Sequence, residues 1–133
     1  MRRNNNRRSS LFLMAASGIG LLAFALPLLL SPLGWAKRLR WRLPQDTDLA
    51  VYLGRSLGAV ATALRFGGLL AARDPWRHRI VFRMAAIAAF LLTGVHVWGA
   101  IRKRQPWTET AEILFWAAVA GGAVASYPRE SEE

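Results

Sequence analysis

The segment TGVHVWGAIRKRQPWTETAE, residues 93–112, sets one histidine and two glutamates on either side of a short basic turn, between runs that are otherwise apolar. An imidazole beside a carboxylate has three chemical uses here. It forms an ion pair, it exchanges protons with a bound carbonyl ring, or it joins the carboxylates as a metal ligand. Glu109 and Glu112 are three residues apart and share a helical face. Arg55, in the run LAVYLGRSLGAVATALRFGGLLAA of residues 49–72, is the cation expected to pair with Glu112. With that guanidinium competing for the same carboxylates, no metal is expected at His96, Glu109 and Glu112. Haem ligated by two histidines is excluded, because His78, the other histidine, falls in a loop expected at the opposite end of the helices from His96.

The elements that must position these groups are four apolar runs, 11–31, 49–72, 80–101 and 107–127. Each reaches the roughly 20 residues a helix needs to cross a bilayer core. The reading is therefore all-α, an integral membrane four-helix bundle, with a basic tail over 1–10 and an acidic tail over 128–133. The first run is too long for the hydrophobic core of a signal peptide. Pro27 lies inside it and predicts a kink, with neighbouring groups serving the freed carbonyl. Consecutive spans cross in opposite directions, so the start of the second, the end of the third and the start of the fourth share one side. Arg55 lies six residues in from 49, His96 five from 101, and Glu112 five from 107, each about 7–9 Å deep at 1.5 Å per residue. Being level, the three are expected to meet, with Glu109 above Glu112 toward water and Tyr52 and Trp98 beside them. Arg55 shares a face with Tyr52, Gly58, Ala59 and Thr62, which directs it inward. Gly54 with Gly58, and Ala117 with Gly121, are expected as small-residue packing steps. Pro106 and Thr108 read as the start and hydroxyl cap of the last helix.

Composition supports this segregation. The chain is 53% hydrophobic yet carries 18 Lys and Arg against 8 Asp and Glu, a net +10 gathered into the loops rather than interspersed. The stretch WAKRLRWRLPQDTD, residues 35–48, mixes tryptophan with arginine, which suits lipid headgroups. Nucleic-acid binding, the other use of such a mixture, is set aside because only a few residues separate it from two spans. No cysteine is present, which removes disulfides, iron–sulfur clusters and thiol catalysis.

Four short spans, the Pro- and basic-rich first connection, YLGRSLGAVATAL opening the second span, and GVHVWGAIRKRQPWTETAEI bridging the third and fourth together resemble the DoxX-like small four-helix membrane proteins of bacteria. The resemblance covers nearly the whole chain and matches Arg55, Gly58 and Glu112 to an arginine and small residue in span two and a glutamate early in span four. It implies the bacterial cytoplasmic membrane, and a link to quinones and to a partner subunit through a thiosulfate:quinone oxidoreductase relative. With both termini inside, eight basic residues face inward and seven outward, so the choice of cytoplasmic termini rests on the early basic cluster. The expected role is a non-catalytic accessory or assembly subunit in contact with lipid, as a homo-oligomer or beside a partner membrane subunit. No cofactor is assigned. The alternatives are a redox component binding a quinone-like ligand at the polar cluster and a small-solute carrier.

Overall fold

The structure, a computed structural model, describes residues 2–129 and is all-helical, with no strand among the described residues. Its first long element is a composite rod made of α1 (Arg2–Gly20), a π-helical turn (Leu21–Ala25) and α2 (Leu26–Leu30), ended at Ser31 by φ −143° and ψ 69°. Pro27 has no N–H to give the carbonyl four residues back, Ala23. That carbonyl instead accepts the Trp35 indole N–H at 3.2 Å. The rod widens in the turn just before the proline, where Leu26 N–H bonds Leu21 O, so the helix is re-wound rather than broken.

A short helix α3 (Pro32–Arg38) follows, with the buried Pro32 opening it. It closes in a Schellman turn: Arg40 N–H bonds Lys37 O, Trp41 N–H bonds Ala36 O, and Arg40 takes φ 64°. An extended stretch leads to α4 (Asp48–Ala71), then come α5 (Ile80–Ile101) and α6 (Trp107–Ala125). A second Schellman turn ends α5, with Lys103 N–H on Ala100 O, Arg104 N–H on Gly99 O, and Lys103 at φ 53°.

Packing divides the helices into two pairs. Helix α4 lies antiparallel along the composite rod and α3, whereas α5 pairs with α6, and the start of α1 joins the pairs. The first contact is close because α4 offers glycines at the interface. A Cβ on Gly58 would lie 2.6 Å from Leu29 Cα, and one on Gly54 would lie 2.6 Å from Pro32 Cβ. Further along, Gly68 faces the Ser17 hydroxyl, and Gly20 on α1 accommodates the Arg65 guanidinium. Arg65 donates to the Ala16 carbonyl at 3.4 Å.

The basic segment expected as a tail over 1–10 is helical from Arg2, and its serines explain why. Ser9 Oγ donates to Ser126 O at 2.6 Å and Ser10 Oγ to Ala72 O at 2.8 Å, so α1 caps the carbonyl ends of α6 and α4. Beside them lies the apolar core of Leu13, Ala71, Ala72 and Phe82, with Phe12 stacked on Phe82 at 6.0 Å and Tyr127 edge-on to it. Pro128, expected in the acidic tail, is buried, and the acidic end of the chain, 130–133, lies outside the described residues.

Two segments are long and apolar enough to cross a membrane, Asn6–Leu30 and Ile80–Ile101. Arg55 and Arg65 dilute α4, and Glu109 and Glu112 dilute α6. The close approach at Gly58 yields a direct test. Gly58→Ala pushes α4 off Leu28 and Leu29 and is expected to destabilise the chain by about 1–3 kcal/mol. Gly67→Ala, where a Cβ meets nothing within 4 Å, is expected to stabilise by up to about 1 kcal/mol through helix propensity. Thermal melting of the two variants should therefore move in opposite directions.

Candidate functional site

The polar cluster is built where α5 ends and α6 begins. Gly99 leaves room for the Gln105 side chain, which folds back after the Lys103 turn. Gln105 Nε2 then donates to the His96 carbonyl at 2.9 Å and to Thr110 Oγ1 at 3.1 Å. Pro106, extended at φ −62° and ψ 158°, starts α6. Thr108 does not cap the helix as expected. Its hydroxyl donates to Leu39 O at 2.5 Å, binding the α3 end to α6.

With the hairpin so fixed, the His96 ring lies between two carboxylates. Its Nδ1 is 3.3 Å from Glu109 Oε2 and its Nε2 is 3.7 Å from Glu112 Oε2. The shorter separation is close to hydrogen-bond length, and the longer is an electrostatic contact. Two indoles complete the group. Trp41 Nε1 donates to Glu109 Oε1 at 2.7 Å, and Trp116 Nε1 donates to Glu112 Oε2 at 3.2 Å. Trp116 in turn packs on Phe24 at 5.5 Å, continuing the cluster into an aromatic layer with Phe115. His96 and Glu109 are buried, at 8% and 6% exposure. Glu109, expected above Glu112 and nearer water, is thus fully inside the cluster and forms its shortest contacts.

Arg55 is not part of it. The guanidinium is exposed and lines a groove of about 610 Å³ with Leu29, Asp48, Val51, Tyr52, Ser56 and Ala59. Its helix packs mainly along the composite rod, so equal depth did not bring it to Glu112. Tyr52 is 68% exposed beside that groove. Trp98 also lies outside the cluster, exposed, with the Arg102 guanidinium 4.6 Å above its ring. Among the packing residues, Gly54 and Gly58 face the rod, whereas Ala117 and Gly121 are exposed, and a Cβ on Gly121 would meet nothing.

The cluster brings together one imidazole nitrogen and one oxygen from each glutamate within 4.8 Å of one another. The removal of Arg55 from this position takes away the competing cation on which the expectation of no metal rested. Trp116 was within reach of sequence reasoning, being one helical turn beyond Glu112. Trp41 was not, since 68 residues separate it from Glu109 and only the α3 turn brings it there. Comparison of the chain with family models, curated proteins and solved structures finds no match.

Loss of an indole donor leaves a buried carboxylate short of a partner, and hydrogen bonds to charged groups are worth about 1.5–3 kcal/mol. Trp41→Phe is expected to lower stability by that order, with Trp98→Phe close to neutral. The midpoint of thermal unfolding followed by circular dichroism distinguishes them.

Proposed function

We propose that the chain is a small multi-pass protein of the bacterial cytoplasmic membrane, spanning it four times with both termini cytoplasmic, and serving as a non-catalytic accessory or assembly subunit. The observation that carries this reading is the outward apolar surface. Leu22 and Leu30 on the rod, Leu57 and Phe66 on α4, Phe90 and Leu91 on α5, and Leu114 on α6 are all exposed, a distribution that water disfavours and lipid accepts. Three of the charges on the same helices are drawn inward, whereas Arg55 stays exposed over its groove. Arg65 lies across Gly20, and Glu109 and Glu112 are folded around His96.

Arginine–tryptophan pairs mark both ends of the helices. Arg79 stacks over Trp76 at 4.8 Å at one end, and Arg40 over Trp107 at 5.3 Å at the other. Such pairs suit a headgroup layer, where the ring is half-wetted and the cation meets phosphate. The resemblance to DoxX-like proteins agrees with this placement. An assembly role is favoured because the polar groups of the cluster engage one another and two indoles. The small residues Ala117 and Gly121 remain an open face for a second copy or a partner subunit.

A second reading has one observation in its favour. The groove beside Arg55 sets guanidinium, Tyr52 hydroxyl and Ser56 donors next to Leu29, Val51 and Ala59, which suits an amphiphile with a carbonyl-bearing head, such as a quinone. In this second reading the quinone-like ligand would be held on α4 rather than at His96.

The test is fractionation followed by purification in mild detergent or nanodiscs. The chain is expected in the membrane pellet after an alkaline carbonate wash, and to co-purify with itself or with a fixed membrane partner. Gly121→Leu should weaken that association at least several-fold while leaving the helical content intact. Recovery from the soluble fraction would overturn the reading. A quinone retained by the native protein and lost in Arg55→Ala would move the assignment to the second reading.

A further inference from the structure

We propose that His96, Glu109 and Glu112 bind one divalent transition-metal ion, which locks the end of the α5–α6 hairpin. The assignment does not depend on whether the chain crosses a bilayer. Geometry is the first support. A metal with ligand bonds of about 2.0–2.2 Å holds its ligand atoms no more than about 4.4 Å apart. The three atoms here already lie within 4.8 Å of one another, so small side-chain rotations close them on an ion.

Charge is the second and independent support. Two carboxylates, the buried Glu109 and the half-buried Glu112, stand against a single imidazole, and among the described residues no Lys or Arg nitrogen comes within 4.0 Å of either. This holds in a chain with 18 such cations. An imidazolium would leave the cluster one negative charge in excess, whereas a neutral imidazole with a divalent ion brings it to zero. Removing that excess matters because an uncompensated ion away from water is strongly disfavoured. The indoles supply the third support. Trp41 and Trp116 each donate to one carboxylate, the kind of outer partner that orients a ligating carboxylate.

The donor set selects the ion. One imidazole nitrogen with two carboxylate oxygens suits Mn²⁺, Fe²⁺ or Zn²⁺. All-oxygen shells serve Mg²⁺ and Ca²⁺ better, and a chain without cysteine offers no thiolate for Cu⁺. Three protein ligands leave the remaining positions of the ion to water.

The experiment uses the full, tag-free chain, stripped with a chelator and titrated with Mn²⁺ alone. Electron paramagnetic resonance should show one bound Mn²⁺ per chain, displaced by Zn²⁺. Its electron spin-echo modulation should carry coupling to one imidazole nitrogen. His96→Ala and Glu112→Gln should each weaken binding about ten-fold or more, and His78→Ala should leave it unchanged. The native spectrum decides the matter even if a variant fails to fold. Absence of binding, binding without nitrogen coupling, or coupling lost only in His78→Ala would each overturn the assignment.

Discussion

Two carboxylates one helical turn apart, at the head of a helix whose remainder is apolar, are the constraint around which this end of the molecule is arranged. Among the described residues neither glutamate has an arginine or lysine partner, so stabilisation has to come from shorter-range donors. His96 answers from α5, Trp116 from the next turn of α6, and Trp41 from the turn that follows α3. Each donor belongs to a different stretch of chain. Satisfying the carboxylates therefore fixes the α5–α6 hairpin and holds the α3 connection against it.

The other half of the molecule is held by proximity rather than charge. Glycines on α4 bring its backbone against the rod at Leu28 and Leu29, and Arg65 lies in the space that Gly20 leaves open. This close contact also explains the position of Arg55. A helix committed along one side to the rod cannot turn that residue toward α6. The guanidinium is left at the edge of the interface, over the groove with Asp48 and Tyr52.

The sequence was most legible where one local rule governed the outcome. Helices α4, α5 and α6 fall close to the apolar runs 49–72, 80–101 and 107–127, because length and hydrophobicity act within a segment. The strain at Pro27 was visible for the same reason, although its relief by a π turn and by Trp35 was not. Depth along a helix was also readable, since rise per residue is fixed, and His96 and Glu112 do meet. Rotation and neighbour choice were not readable for Arg55. A face of mixed Gly58, Ala59 and Thr62 is compatible with several partners, and only the fit of Gly58 to the Leu29 backbone selects one.

Trp41 shows why the remainder of the site lay beyond sequence reasoning. Its approach to Glu109 depends on a left-handed residue at Arg40, a position where glycine is the usual signal and an arginine gives none. The same holds at Lys103, whose left-handed turn returns Gln105 to the His96 carbonyl. For a side chain with a Cβ this conformation is uphill by about 1–2 kcal/mol. Both exceptions flank the same cluster, and each delivers a donor to it. The hydrogen bonds they allow, to a buried carboxylate in one case and to a backbone carbonyl in the other, offset that local cost, and the polar cluster accordingly shapes the turns that enclose it.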